Sequence, residues 1–131
     1  MLRFDKRQMT GLREKAQLLR LLGHRTRLAI IGRLAKGPKC VTDIQELLDV
    51  RQANISQHLA ALRSARIVDF CEHGKMRCYY ICRPALAKSL LRFIGGDYPV
   101  VERSAQWVRR RSKSASDGSR HDAITAAPAG H

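Results

Sequence analysis

Acidic residues are scarce in this chain: eleven Asp and Glu stand against twenty-five Lys and Arg in 131 residues, giving a formal charge of +14. That deficit argues against a cationic partner and points to one rich in phosphate. Nucleic acid comes first. A membrane surface comes second, but it calls for a spanning apolar run or a basic amphipathic helix carrying exposed aromatics, and neither is evident in a sequence that is 5% aromatic. The opening "MLRFDKRQMTGLREK" has no apolar core of signal-peptide type. The expectation is therefore a cytoplasmic protein with reduced cysteines. Enzyme signatures are missing as well: there is no Ser-His-Asp spacing, no glycine-rich phosphate loop and no paired carboxylates. A chain of this length has room for one compact domain, read as 1–111, and a disordered basic and polar tail, read as 112–131, "SKSASDGSRHDAITAAPAGH".

What is present is a run of helical patterns. Leucine or alanine at 12, 16, 18, 19, 21 and 22 makes a helical stripe closed by Gly23. A second helix restarts behind Thr26 as N-cap, with Leu28, Ile31 and Leu34 inward and Gly37-Pro38 as the stop. "TDIQELLDV" is a short third helix capped by Thr42 or Asp43, with Ile44, Leu47 and Leu48 inward. After a break at Asp49-Val50, "RQANISQHLAALRSA" places Ile55, Leu59 and Leu62 on one face of a fourth.

From Ile67 the period changes to two. "IVDFCEHGKMRCYYIC" reads as two strands around Gly74-Lys75, a two-residue type II′ turn. That turn pairs His73 with Met76, Glu72 with Arg77, Cys71 with Cys78, Phe70 with Tyr79 and Val68 with Ile81. Alternation sends Val68, Phe70, Tyr79 and Ile81 to the core and Cys71 and Cys78 to the other face. Pro84 opens another helix, "PALAKSLLRFI", and "PVVERSAQWVRRR" predicts a last one with Val100, Val101, Ser104, Trp107 and Val108 on one side.

Two short helices in tandem followed by a hairpin describe a mainly α fold with a small β element, the winged helix-turn-helix. The fourth helix offers Gln52, Asn54, Ser56 and Gln57 near its N-terminus, short hydrogen-bonding side chains suited to base edges, while Arg51, Arg63, Lys75 and Arg77 are placed to hold phosphate.

The segments "LLGHRTRLAIIGRLAKG", "CVTDIQELLDVRQANISQHLAALRSARIV" and "GKMRCYYI" together resemble the ArsR/SmtB winged-helix repressors, over about Leu18 to Leu91. The resemblance implies a homodimer, joined through the first and last helices, that binds double-stranded operator DNA and leaves it when a metal, metalloid or thiol reagent binds. It also implies no permanently bound cofactor. His58 matches a histidine common in the family's recognition helix and is read as a hydrogen-bonded structural residue. The family's Cys-Val-Cys-Asp metalloid run is "CVTD" here, keeping only Cys40, and the last helix has none of the family's Asp and His zinc ligands.

The remaining cysteines lie on the hairpin: Cys71, Cys78 and Cys82, three of the four within a dozen residues. Paired across an antiparallel hairpin, Cys71 and Cys78 are close enough for one soft ion or one disulfide. His73, Lys75 and Arg77 are expected to favour their thiolates. Cys82 lies about 13 Å along a regular strand and joins them only if the chain bends; Cys40, at the start of the third helix, is expected to stay apart. The all-sulfur set and the family resemblance together make As(III) or another thiophilic ion the leading inducer. A Cys71–Cys78 redox or polysulfide link is the alternative, and a regulator without any cysteine-dependent inducer is the third.

Overall fold

The computed structural model describes residues 6–48 and 52–114. In chain order the elements are α1 (Lys6–Leu22), α2 (Arg25–Leu34), β1 (Lys39–Cys40), α3 (Val41–Leu48), α4 (Gln52–Ser64), β2 (Val68–His73), β3 (Met76–Ile81), α5 (Pro84–Ile94) and α6 (Ala105–Ser114). The described residues fall into two compact units, one ending at Gly96 and one beginning at Asp97. No helix among them is long and apolar enough to cross a membrane. The break expected at Asp49-Val50, Arg51 and the segment from residue 115 onward lie outside the described residues.

The first unit is built on Ile30, Ile31, Ile44, Ile55, Leu59, Leu62, Ile67 and Val68, all fully buried, with Leu22, Leu34, Tyr79 and Ala87 around them. Each such side chain contributes about 1.5–3 kcal/mol by leaving water. Periodicity places them correctly on α4, where Ile55, Leu59 and Leu62 share one face, but overcounts α3. There Ile44 is buried while Leu47 is 46% exposed. On so short a helix only the i and i+4 pair, Ile44 and Leu48, stays on the inner line.

Helix ends differ from the sequence expectation for identifiable reasons. The N-cap of α2 is His24, not Thr26: its imidazole Nδ1 accepts the Thr26 N–H at 3.1 Å. Helix α3 begins directly at Val41 after β1, so neither Thr42 nor Asp43 precedes it as a cap. Helix α4 ends in a Schellman motif: the Arg66 N–H bonds to Arg63 O at 2.9 Å and the Ile67 N–H to Leu62 O at 3.0 Å. Arg66 adopts φ 60° to make it, a conformation usually left to glycine, and this sharp stop turns the chain from α4 straight into β2.

The hairpin has the expected register, from Val68 opposite Ile81 to His73 opposite Met76. Gly74 takes φ 65° at the first turn position, as a type II′ turn requires. The sheet nevertheless has three strands, in the order β1-β3-β2. Lys39 pairs with Tyr79 and Cys40 with Cys78, so β3 is the central strand and Cys40 is strand, not helix.

In the second unit α6 starts only at Ala105, behind Ser104, whose Oγ accepts the Trp107 N–H at 3.1 Å. The helix runs on through Ser114, past the boundary read at 111. Val100 and Val101 lie ahead of it, 92% and 39% exposed, so the expected single apolar face does not form. Trp107 is instead flanked by Arg103 and Arg111, whose guanidinium carbons stand 4.4 and 5.3 Å from its ring centre.

Candidate nucleic-acid interface and thiol site

Helix α4 buries Ile55, Leu59 and Leu62 and so turns Asn54, Ser56 and Gln57 to solvent. Among the described residues none of these three side chains makes a hydrogen bond to another, which leaves their donors and acceptors available. Gln52 is the first residue of α4.

The inner edge of α4 is held by a polar cluster. His58 Nδ1 accepts a hydrogen bond from Arg27 Nε at 3.0 Å, and the His58 ring lies with its centre 4.3 Å from that of His24, tilted by 48°. Arg27 also donates to Leu21 O at 3.0 Å, so one guanidinium ties α1, α2 and α4 together. Desolvation first, then the charges of His24 and Arg27, lower the His58 pKa, which favours the neutral ring that accepts from Arg27. His58 is thus a structural residue.

The cations expected to hold phosphate divide. Lys75 sits exposed at the hairpin turn and Arg77 is exposed on β3. The Arg77 guanidinium carbon lies over the Phe70 ring, 4.5 Å from its centre. Arg63 is committed internally. Its Nε donates to Asp69 Oδ1 at 2.9 Å and its guanidinium covers Phe70 at 4.3 Å. The Phe70 N–H and then Arg63 hold the Asp69 carboxyl below its ordinary pKa. Arg63 therefore joins α4 to β2, and any phosphate must share it.

The cysteines are arranged differently from the sequence expectation. Cys71 does lie opposite Cys78 and is exposed. The close sulfur contact, however, is between Cys40 and Cys78, whose Sγ atoms are 2.9 Å apart and share a hydrogen. The signal missed was β1: two residues carry no periodicity, so nothing in the sequence placed Cys40 beside the wing. Cys40, Cys78 and Cys71 form one row across the three strands.

Cys82 does not join that row. It follows the end of β3, and its N–H is bound to Ile67 O at 2.8 Å. Desolvation and the Asp69 charge push its thiol pKa up, against Arg66. The nearby cations do not make Cys78 acidic either. The hydrogen bond with Cys40, desolvation, and the charges of Cys40, Cys71 and Asp43 push its pKa up to about 11. Among the described residues no group of three or more His, Cys, Asp or Glu is set to hold a metal ion. The Cys71, Cys78 and Cys82 set does not fit a three-thiolate ion.

Residues 24–69 match the model of the bacterial regulatory proteins of the arsR family. The chain is 37% identical over 75 residues to the biofilm growth-associated repressor of Agrobacterium fabrum, covering 57% of this chain and 64% of that one. It is 35% identical over 79 residues to the HTH-type transcriptional regulator Rv2034 of Mycobacterium tuberculosis, covering 60% of this chain and 74% of that one. Among solved structures, the homodimeric winged helix-turn-helix DNA-binding domain of Mb0332 from Mycobacterium bovis superposes with a TM-score of 0.60 at 25% identity, over 72% of this chain and 90% of that one. The chain spans just under two thirds of the Agrobacterium repressor's length. The protein is a winged helix-turn-helix member of the ArsR family of bacterial regulatory proteins.

Proposed function

We propose that this protein is a sequence-specific DNA-binding repressor that acts as a homodimer on a near-palindromic operator. The observation that carries the reading is the set of exposed polar side chains Asn54, Ser56 and Gln57 on α4, unpartnered among the described residues and beside a cationic hairpin, in a chain of charge +14. Each α4 enters a major groove, half-sites about one helical turn apart. Gln52, Asn54, Ser56 and Gln57 read bases; Arg51, Lys75 and Arg77, with Arg63 shared, hold phosphate. A second copy covers the apolar surface left on α1 and α5, where Leu19 is 65% and Phe93 62% exposed. That proposal draws on the homodimeric relative.

The inducer is a thiophilic species that reacts with the cysteines beside the wing, As(III) being the leading candidate. The sulfur row supports capture by two thiols, Cys40 and Cys78, with Cys71 next in line; no closed three-sulfur cage supports it. A redox link is the second reading, and the 2.9 Å sulfur contact favours it. Release of a fluorescent operator from the fully reduced protein, with As(III), Cd(II), Zn(II), polysulfide and peroxide added in turn, separates these. Release at stoichiometric As(III) supports the metalloid, release by oxidant alone supports the redox link, and release by none removes the cysteines from the function.

A further inference from the structure

We infer that Cys40 and Cys78 are an oxidisable dithiol which a hydroperoxide converts into a covalent staple between the strand leading into α3 and the returning strand of the wing. This deepens the redox reading above and rests on the repressor reading for its effect on DNA; its chemistry stands on geometry alone.

The two sulfurs are already 2.9 Å apart, so forming a bond of about 2.05 Å moves them by less than 1 Å. The backbone is prepared for it. Cys40 and Cys78 are directly opposed in an antiparallel pair, where Cα atoms lie about 4.5 or 5.5 Å apart, both within the range that disulfides span. Both cysteines are free and half-buried, within reach of a small oxidant. Cys71 is also opposed to Cys78, from the other side, but the sulfur contact lies with Cys40.

The reaction balances with one hydroperoxide. Cys40, as its thiolate with the Cys78 S–H donating to it, attacks the peroxide; the O–O bond breaks, an alkoxide (or hydroxide) leaves and is protonated, and a sulfenic acid forms on Cys40. The second sulfur then attacks the first, the S–O bond breaks and water leaves. Two thiols are oxidised to one disulfide and the peroxide is reduced, with no other reactant.

The position of the bond gives it a consequence. The loop it closes contains α3, α4, β2 and the hairpin turn, the whole proposed reading unit. Val41, which opens α3, follows Cys40, and Arg77 precedes Cys78. The bond locks two strands that are already paired and so fixes the relation of helix pair and wing, which lowers operator affinity where binding needs the two to adjust to the groove.

The test uses the full chain, reduced or treated with stoichiometric hydrogen peroxide. It combines non-reducing tryptic mapping, thermal unfolding and operator anisotropy. Because Cys78 and Cys82 share the tryptic peptide "CYYICRPALAK", fragmentation within it assigns the linked sulfur. The expected result is a Cys40–Cys78 link, a Tm raised by roughly 10 °C or more, and operator binding weakened about tenfold. Dithiothreitol reverses all three, Cys71→Ser retains them and Cys40→Ser abolishes them. A Cys71–Cys78 link, or overoxidation with no link, overturns the inference. So does a Cys40–Cys78 link that leaves operator affinity unchanged. If the reduced protein binds no operator, the repressor reading fails, while mapping and Tm still decide whether the dithiol closes.

Discussion

Helix α4 and the three-stranded sheet lie side by side but use their polar groups in opposite ways. On the exposed side of α4, Asn54, Ser56 and Gln57 bond to nothing among the described residues. On the sheet, Asp69 holds Arg63, Phe70 lies beneath two guanidinium groups, and Cys78 shares a hydrogen with Cys40. A face whose donors are unused is prepared for a partner, whereas a face whose groups already engage one another is suited to being altered by chemistry. On the proposed reading, recognition belongs to the helix and control to the sheet.

The largest effect expected is one that destroys both regions together. Leu59 is fully buried where α4 meets the core, and Leu59→Ala is expected to cost about 2–5 kcal/mol in urea unfolding, with DNA binding lost as the fold is lost. Next come the changes that separate the regions. Asn54→Ala and Gln57→Ala should each weaken operator binding about 5- to 150-fold and leave the urea midpoint unchanged, since neither side chain supports the fold. Lys75→Ala at the hairpin turn should weaken operator and unrelated DNA alike and reduce the salt slope of log affinity by about one. If Lys75→Ala altered sequence preference while Asn54→Ala did not, the division between helix and wing would be reversed.

The smallest effect is a pH dependence. The folded pKa of His58 is lowered, chiefly by desolvation, so the unfolded chain binds more protons between that value and about 6.5. The stabilisation from neutral His58 is complete above that unfolded value and is lost as pH falls through the lowered folded one. His58→Gln, which keeps an acceptor for Arg27, should flatten this part of the urea-midpoint profile between pH 8 and pH 5.

The hairpin register was legible because Gly74-Lys75 fixes the turn, and a turn of known length fixes every pair beyond it. The inward face of α4 was legible because Ile55, Leu59 and Leu62 repeat at helical spacing. The thiol site was not. Its decisive contact depends on β1, a strand of only two residues, Lys39 and Cys40, which exists because β3 offers them an edge. Local sequence also misjudged the cap at His24, where a ring nitrogen replaces the usual hydroxyl. The ion pair of Arg63 was not legible either, since its partner Asp69 is brought to it by the turn at Arg66.

The central claim is that α4 reads a DNA sequence. Its most direct test is the anisotropy of a labelled duplex from the promoter of the protein's own gene, titrated with the fully reduced chain at moderate salt. A scrambled duplex of the same length and composition serves as the comparison. The account predicts that the promoter binds at least about a thousandfold more tightly and that Asn54→Ala removes much of the difference. Equal affinity for both duplexes, with the same salt slope, would contradict it and leave a cationic protein that holds phosphate without reading bases.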